Sequence, residues 1–166
     1  LKPMELIDTH CHRTCEGLIQ DIDGVVARSI AAGVTSWLTV GTDAQENLKA
    51  VKLTEKFENM YAAVGIHPHD AKHLTADTLT ELKELAQSAK VLAIGETGLD
   101  YHYSFSKQTD QKRAFAAQLK IAKELNLPVI IHCRESFDET MEILDRHGHG
   151  LKGVVFHCFS QSKRFR

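Results

Sequence analysis

The sequence predicts an α/β fold, a (β/α) barrel of the TIM type in which about six of the usual eight units are present. Short apolar runs alternate with longer helical patterns, and no Pro-, Gly- or Ser-rich linker interrupts them. The apolar runs are mostly continuous, which is typical of parallel strands buried on both faces. Polar residues stand at the ends of most runs, and a barrel gathers the carboxyl ends of its strands around one mouth. An open doubly wound sheet would concentrate such residues at a single switch point instead.

The elements can be assigned in chain order. Strands are predicted at 4–9, 36–41, 60–66, 91–96, 128–132 and 153–157. Helices are predicted near 20–32, 43–57, 75–88, 107–125 and 135–147. Gly33 is expected to end the first helix, and Asn126 with Pro128 the fourth. Asp43 and Thr75 are typical N-caps of the helices that follow them.

The composition indicates a globular chain with a single domain, predicted over residues 1–166. The formal net charge of −2 gives no general attraction to nucleic acid or to an anionic membrane. No apolar run approaches the roughly 18 residues of a membrane span, and the N-terminus has no signal-peptide pattern. The cysteines are therefore expected to be reduced thiols in a cytoplasm. Cys11 and Cys15 have the spacing of half a zinc site, but no second cysteine pair matches it.

Five side chains of the types that bind metals stand at strand ends: His10, His12, Glu96, His132 and His157. The first two histidines are two residues apart, so an extended chain points both imidazoles toward one ion. Glu96 follows the apolar run 91–95 and would be costly to bury without a cation. A carboxylate can bridge two ions through its two oxygens, so Glu96 is the central residue of the expected catalytic site.

These residue types permit metal-assisted hydrolysis. One or two divalent ions would lower the pKa of a bound water and polarise a phosphoryl or carbonyl oxygen. Imidazole and carboxylate suit Zn, Mn, Fe or Co, whereas Mg normally takes more oxygen ligands, so the identity of the ion stays open. The alternatives are an ion pair of Glu96 with Arg134, and histidines that are solvated or satisfied within the core.

Two further residues are candidate substrate contacts. Arg134 lies two residues after His132, and its planar guanidinium matches the geometry of a phosphate. The alternative is a structural ion pair with Glu135 or Asp138. His67 is expected at the same mouth, where it would contact substrate, support the metal ligands or simply occupy a loop.

Five segments resemble the motifs of the TatD family: residues 6–12, 65–68, 95–101, 128–134 and 156–160. The resemblance implies an amidohydrolase-type TIM barrel with metal-dependent deoxyribonuclease activity, commonly of the 3′-to-5′ exonuclease type, and DNA as substrate. It implies that His10, His12 and Glu96 hold one metal ion. Glu96, His132 and His157 would hold the second, with Glu96 bridging. The expected cofactors are two divalent ions, Mg, Mn or Zn.

The resemblance does not extend to a whole barrel. The family uses an aspartate of a last-strand Glu-Thr-Asp motif as metal ligand and expected base, and this sequence has no counterpart. We therefore expect a C-terminally truncated chain, either a fragment or a frame-disrupted version of a longer nuclease. Unpaired sheet edges would invite self-association. The competing hypotheses are a non-catalytic remnant and another amidohydrolase-type metallohydrolase that acts on a small substrate.

Overall fold

The sheet has six strands, and its order is the order of the chain. The computed structural model describes residues 5–160. Its strands are β1 (Leu6–Cys11), β2 (Val34–Val40), β3 (Met60–Val64), β4 (Val91–Asp100), β5 (Val129–Arg134) and β6 (Val154–Phe156). Neighbouring strands pair in parallel in the order β1-β2-β3-β4-β5-β6. The predicted α/β architecture, with six consecutive units of a (β/α) barrel, is confirmed.

Helices connect consecutive strands, as a parallel sheet requires. They are α1 (Glu16–Ile19), α2 (Ile22–Ala31), α3 (Ala44–Lys56), α4 (Ala76–Leu85), α5 (Gln108–Glu124) and α6 (Phe137–His147), with a 3₁₀ helix at Pro68–His73. The short α1 and the 3₁₀ helix were not predicted. Both are one or two turns long, too short to produce a helical period in the sequence. Within residues 5–160, no helix combines the length and apolar character that a bilayer crossing needs.

The helix ends follow the predicted capping residues. The carboxylate of Asp43 accepts a hydrogen bond from the backbone N–H of Glu46 at 2.8 Å, and Thr75 forms a capping box at the start of α4. Gly33 follows α2 with φ 92°, and Asn126 follows α5 with φ 53°. These left-handed conformations are a common way to end a helix.

All six strands differ from their predicted ranges at one end or both, and two of the differences affect the site. The first strand was predicted at 4–9 but is Leu6–Cys11, so His10 lies within it; Met4 lies outside the described residues. β4 was predicted to end at Glu96 but continues to Asp100, because residues 97–100 pair with β5. Gly, Thr and Asp in this stretch conceal a strand from an argument based on apolar runs.

The main core lies between the strands and the helices. Phe115 and Leu119 of α5 pack in one cluster with Ile94 of β4 and Ile131 of β5, and all four are fully buried. A smaller cluster covers the concave side of the sheet: Val40, Ala63, Ala93 and Ile130, with Leu38 packed against it. Successive residues of a strand therefore serve the two sides in alternation, as the pleat requires.

The expectation that the strands are buried on both faces is wrong for the edge strands. β3 and β4 are almost wholly buried, and so are the first three residues of β5. By contrast, Ile7 of β1 is 66% exposed and Val155 of β6 is 55% exposed. An edge strand has a neighbour on one side only, so its apolar side chains lack packing partners on the other. Within the part of the chain that the structure describes, both ends of the sheet present apolar surface to solvent.

The sheet is strongly curled. Laid flat, six strands would separate the two edges by about 24 Å, at roughly 4.8 Å per step. His10 of β1 and His157, the residue after β6, nevertheless stack with ring centroids 3.5 Å apart and 11° between their planes. Only a curled sheet can bring side chains of opposite edges into contact. The carboxyl ends of the strands therefore surround a common mouth.

Candidate metal centre

Glu96 lies at the centre of this mouth, in the buried strand β4, and is 3% exposed. Histidine nitrogens face both of its oxygens. Oε1 is 3.0 Å from His132 Nδ1, whereas Oε2 is 3.3 Å from His10 Nε2 and 3.9 Å from His12 Nε2. The buried carboxylate thus has its partners among the predicted ligands.

The surrounding imidazoles determine the charge of Glu96. Burial alone would raise the pKa of this carboxyl, but the adjacent imidazoles of His10 and His132 hold its pKa well below the usual range. Burial opposes the charge of His132 as well, yet its contacts with Glu96 and Asp100 raise its pKa. Both shifts have the same origin, because an ionised carboxylate in a buried mouth stabilises a positive charge beside it.

Two groups of ligand-type atoms are compact enough to hold an ion. One consists of His10, Glu96 and His157, and the other of His67, Glu96 and His132; within each group the ligand atoms lie within 4.8 Å of one another. Glu96 belongs to both groups, which is the geometry of a bridging carboxylate. His157 groups with His10 across the curled sheet, whereas the family pattern pairs it with His132.

The donor atoms fit a divalent cation. His12 Nδ1 lies 3.0 Å from the carbonyl of Val40, which only accepts, so Nδ1 carries the proton and the Nε2 lone pair is free. His132 Nε2 lies 2.9 Å from Asp100 Oδ2, and its Nδ1 lies 3.0 Å from Glu96 Oε1 and 3.2 Å from His67 Nε2. Imidazole nitrogens and carboxylate oxygens grouped in this way are donor types that bind divalent transition-metal ions.

The stacked pair of His10 and His157 fits the same description. His10 Nε2 is buried and lacks a well-directed hydrogen bond within residues 5–160. Burial, followed by the charge of His10, lowers the pKa of His157, which keeps this ring in the unprotonated form that binds metal. A cavity of about 430 Å³ opens beside the two rings, between β1, β5 and β6.

Asp100 is a functional residue that the sequence argument did not assign. Its buried Oδ2 accepts from His132 Nε2 at 2.9 Å and from His69 Nε2 at 3.0 Å. Its Oδ1 accepts the backbone N–H groups of His102 and Tyr103, each at 3.0 Å. A carboxylate bound to the far nitrogen of a ligand histidine orients the ring and makes it more basic. Extending β4 beyond Glu96 would have found this residue, because the two carboxylates are four positions apart in one strand.

Three buried side-chain amides hold the backbone that carries the site: Asn47, Gln111 and Gln118. Each bonds both the N–H and the C=O of one backbone residue, respectively Gly65, Asp100 and Ile66. The amides come from α3 and α5, and they replace a strand partner where the ends of β3 and β4 leave the regular ladder. Sequence reasoning missed them because an amide on an amphipathic helix resembles an ordinary surface residue.

The two predicted substrate contacts occupy different environments. His67 is 9% exposed, with Nε2 3.2 Å from His132 Nδ1, and burial together with the charge of His132 lowers its pKa to about 3. Arg134 is exposed at the end of β5, and its guanidinium lies 5.0 Å from the ring centroid of Tyr103. Among residues 5–160, the alternative ion pairs of Arg134 with Glu96, Glu135 or Asp138 do not occur. Arg134 is thus available at the rim of the mouth.

The cysteines take no part in either ligand group. All four are free thiols. Cys11 Sγ donates to the carbonyl of Leu38 at 3.4 Å, and burial raises the pKa of this thiol to about 11. A thiol with a raised pKa is a poor metal ligand, since metals bind the thiolate. The half zinc site considered for Cys11 and Cys15 therefore has no support.

The sequence of the chain is similar to those of a known protein family. The sequence profile of a family described as TatD related DNase matches residues 7–165. A protein of Shigella flexneri serotype 5b named 3'-5' ssDNA/RNA exonuclease TatD is 40% identical over 158 residues, which are 95% of this chain and 61% of that protein. An uncharacterized metal-dependent hydrolase of Bacillus subtilis, YabD, is 40% identical over 157 residues, 95% of this chain and 62% of that one.

Solved structures give the same result for the fold. The crystal structure of YJJV, a TatD homologue from Escherichia coli, superimposes with a TM-score of 0.87 at 34% identity, covering 95% of this chain and 61% of that one. The chain therefore spans about three fifths of the length of the relatives that it matches.

Proposed function

Because the chain belongs to the TatD related DNase family, we propose that it hydrolyses phosphodiester bonds of DNA with the help of divalent metal ions, removing nucleotides from the 3′ end. The observation that carries the proposal is the position of Glu96, whose two oxygens lie near histidines of the β1 edge and of β5. His157 from the opposite edge belongs to the same group of ligand atoms as His10 and Glu96. The names of the relatives support the reaction class. The activity is a proposal for this chain, since it spans about three fifths of their length.

We assign the ions to the residues that converge on Glu96. His10, His12 and His157 would hold one ion and His132 the other, with Glu96 bridging. When bound, such ions polarise the phosphoryl oxygen and lower the pKa of a water to near neutrality. The excess of imidazole over oxygen ligands favours Mn or Zn, although Mg stays an expected ion for a phosphate substrate.

The side chains of this chain contribute binding and orientation. Asp100 fixes the ring of His132 through its Nε2, so the opposite nitrogen faces Glu96. Arg134 at the rim is placed to bind a phosphate of the strand, because its exposed guanidinium has no carboxylate partner within residues 5–160. The net charge of −2 gives no general attraction for DNA, so local groups must supply the binding.

Nuclease activity can be tested with a 5′-labelled single-stranded oligodeoxynucleotide, incubated with Mg or Mn and then with EDTA. We expect a ladder of products shortened from the 3′ end, which EDTA abolishes. Glu96→Gln keeps the shape of the side chain but removes its charge, and we expect it to lose at least a hundredfold in rate. The matched control is Glu55→Gln on α3, where the glutamate is exposed and remote from the mouth.

Three other outcomes would overturn the proposal or change its substrate. Pure, folded protein that leaves the strand intact with either metal would favour the non-catalytic remnant. Cleavage that survives in Glu96→Gln would point to a contaminating nuclease. An equal rate on a matched RNA strand would extend the substrate to RNA, as the names of the relatives suggest for those proteins.

We further propose that the chain self-associates through its sheet edges and that it resides in the cytoplasm. Exposed apolar residues on β1 and β6 support the first statement, since unpaired edges accept a further strand. The four free thiols support the second, because thiols persist in a reducing compartment.

A further inference from the structure

Two exposed aromatic rings lie beside the candidate metal centre. Tyr103 is 41% exposed and Phe105 is 56% exposed, and their rings stack with centroids 5.4 Å apart and 15° between the planes. Both belong to the loop between β4 and α5. Large aromatic side chains gain more than most others from burial, so a stacked pair that stays exposed is a candidate binding surface.

One histidine joins the aromatic pair to the predicted metal ligands. The ring of His69 meets Tyr103 edge-on at 5.5 Å and Phe105 edge-on at 4.8 Å between centroids. The same ring donates to Asp100, which in turn binds His132. A molecule that rests on the aromatic pair is therefore separated from the His132 ring only by the His69 ring, whose centroid lies 6.1 Å from that of His132.

The loop that carries the two rings is held firmly. Gln111 donates to the carbonyls of both Asp100 and Ser106, and Ser106 Oγ donates to the carbonyl of His69 at 2.7 Å. Asp100 accepts the N–H of Tyr103 at 3.0 Å. The rings are thus presented in a fixed position, which lowers the entropic cost of binding a flat partner.

Positive charges flank the pair. The guanidinium of Arg134 lies over the ring of Tyr103, and Lys72 Nζ donates to the carbonyl of Phe105 at 3.1 Å. Aromatic rings interleaved with cations are the surface on which unpaired bases stack while the phosphates find positive partners. A base inside a duplex is stacked on both faces and could not use this surface.

We propose that Tyr103 and Phe105, together with Arg134, form a stacking platform for an unpaired nucleobase of the strand whose phosphodiester reaches Glu96 and its histidines. This deepens the proposed function and rests on it, because it names the side chains that bind a base of the substrate strand. The platform would bind any of the bases, since every base has a flat face.

The experiment compares two oligonucleotides of equal length and charge, one of thymidines and one of abasic tetrahydrofuran units. Their dissociation constants are measured by fluorescence anisotropy in EDTA, which prevents cleavage. Wild-type protein should bind the thymidine strand more tightly than the abasic strand, by roughly five- to 150-fold. Tyr103→Ala and Phe105→Ala should bring the ratio toward one, whereas Tyr103→Phe should retain it. Ile30→Ala, which truncates an exposed apolar side chain on α2, is the control.

The outcomes separate the platform from the nuclease proposal. Equal affinity of the wild-type protein for the two strands, including no binding of either, would overturn the platform. A preference that persists in both alanine variants would also overturn it, provided that circular dichroism shows them folded. If the preference is found but neither strand is hydrolysed with Mg or Mn, the platform stands as a binding site and the proposed reaction fails. If the protein hydrolyses the thymidine strand but does not prefer it to the abasic strand in binding, the proposed reaction stands and the platform fails.

Discussion

Gly98 lies so close to the backbone of His132 that a Cβ atom at this position would be 2.1 Å from the His132 carbonyl oxygen. The contact joins β4 to β5 at the level of the metal centre. Gly98 also has φ +140°, a conformation that residues with a side chain rarely adopt. The glycine therefore allows the strand that carries Glu96 to approach the strand that carries His132.

We predict that Gly98→Ala destabilises the protein by roughly 2–4 kcal/mol, because the new methyl must push the two strands apart and the backbone is strained. The measurement is the free energy of unfolding in urea, followed by circular dichroism. Gly17→Ala in α1 is the control, since nothing lies within 4 Å of its Cβ position. Equal stabilities of the two variants would contradict the close contact.

A second prediction concerns the buried amide of Gln118. Gln118→Leu would leave the N–H and the C=O of Ile66 without their partner, at a cost of about 1–3 kcal/mol for each buried group. We expect a loss of roughly 2–5 kcal/mol in urea unfolding, together with faster hydrogen exchange at the Ile66 amide. Gln108→Leu, an exposed position on the same helix, should change stability little. Unchanged exchange at Ile66 would refute the role of the amide.

Metal binding should be measurable without any substrate. We predict that wild-type protein retains up to two Mn or Zn ions per chain in equilibrium dialysis and unfolds at a higher temperature when they are bound. At a free concentration 100 times the dissociation constant, one ion adds about 2.7 kcal/mol. Glu96→Gln should lose both effects, and Glu55→Gln should keep them. A Glu96→Gln protein that still retains the ions would show that the ligands lie elsewhere.

The half-buried phenol of Tyr101 gives a prediction on pH. Burial, together with the hydrogen bond that its hydroxyl donates to Glu139 at 2.8 Å, raises the pKa of Tyr101 above its ordinary value of 10.0. Above about pH 10 the unfolded chain releases this proton more readily than the folded one, so stability falls as the pH rises. Wild-type protein should lose more stability between pH 9 and pH 11 than Tyr101→Phe. An equal loss would exclude this contribution, and Tyr103→Phe is the control for an exposed tyrosine.

Self-association is testable by sedimentation velocity over a range of protein concentrations. We predict larger species at high concentration, because Ile7 and Val155 expose apolar surface on unpaired strands. Ile7→Lys and Val155→Lys should shift the protein toward monomer, since a charge on an edge strand opposes pairing. Ile30→Lys introduces the same charge on a helix and should have little effect. A monomer at every concentration would contradict the prediction.

The residues of the candidate site that lie at the ends of apolar runs could be predicted from the sequence. His10, Glu96 and His132 each follow or end a hydrophobic stretch, and such stretches reveal both the strand and the face that it presents. The (β/α) order could be predicted for the same reason. Asp43 and Thr75 were recognisable because a capping residue acts on its own helix and needs no tertiary contact.

The sequence did not reveal what depends on contacts between distant elements. Asp100 of β4 accepts a hydrogen bond from His132 of the neighbouring strand β5. The apolar residues at the start of β4 do not predict this contact. The exposure of Ile7 depends on the absence of a neighbouring strand within residues 5–160, although the residue itself is typical of a buried strand. Tyr103 and Phe105 become a pair only through the folded loop, because alternate positions in a loop have no fixed orientation.

The contact between the stacked rings of His10 and His157 also bears on the rate of folding. Nearly the whole described chain separates the two residues, so their encounter carries one of the largest loop-closure entropies in the molecule. Contacts of such long range tend to slow folding. In a refolding experiment, the helical signal should therefore recover before these two imidazoles reach their native environment. Binding of an ion between the two imidazoles and Glu96 would then mark the end of folding.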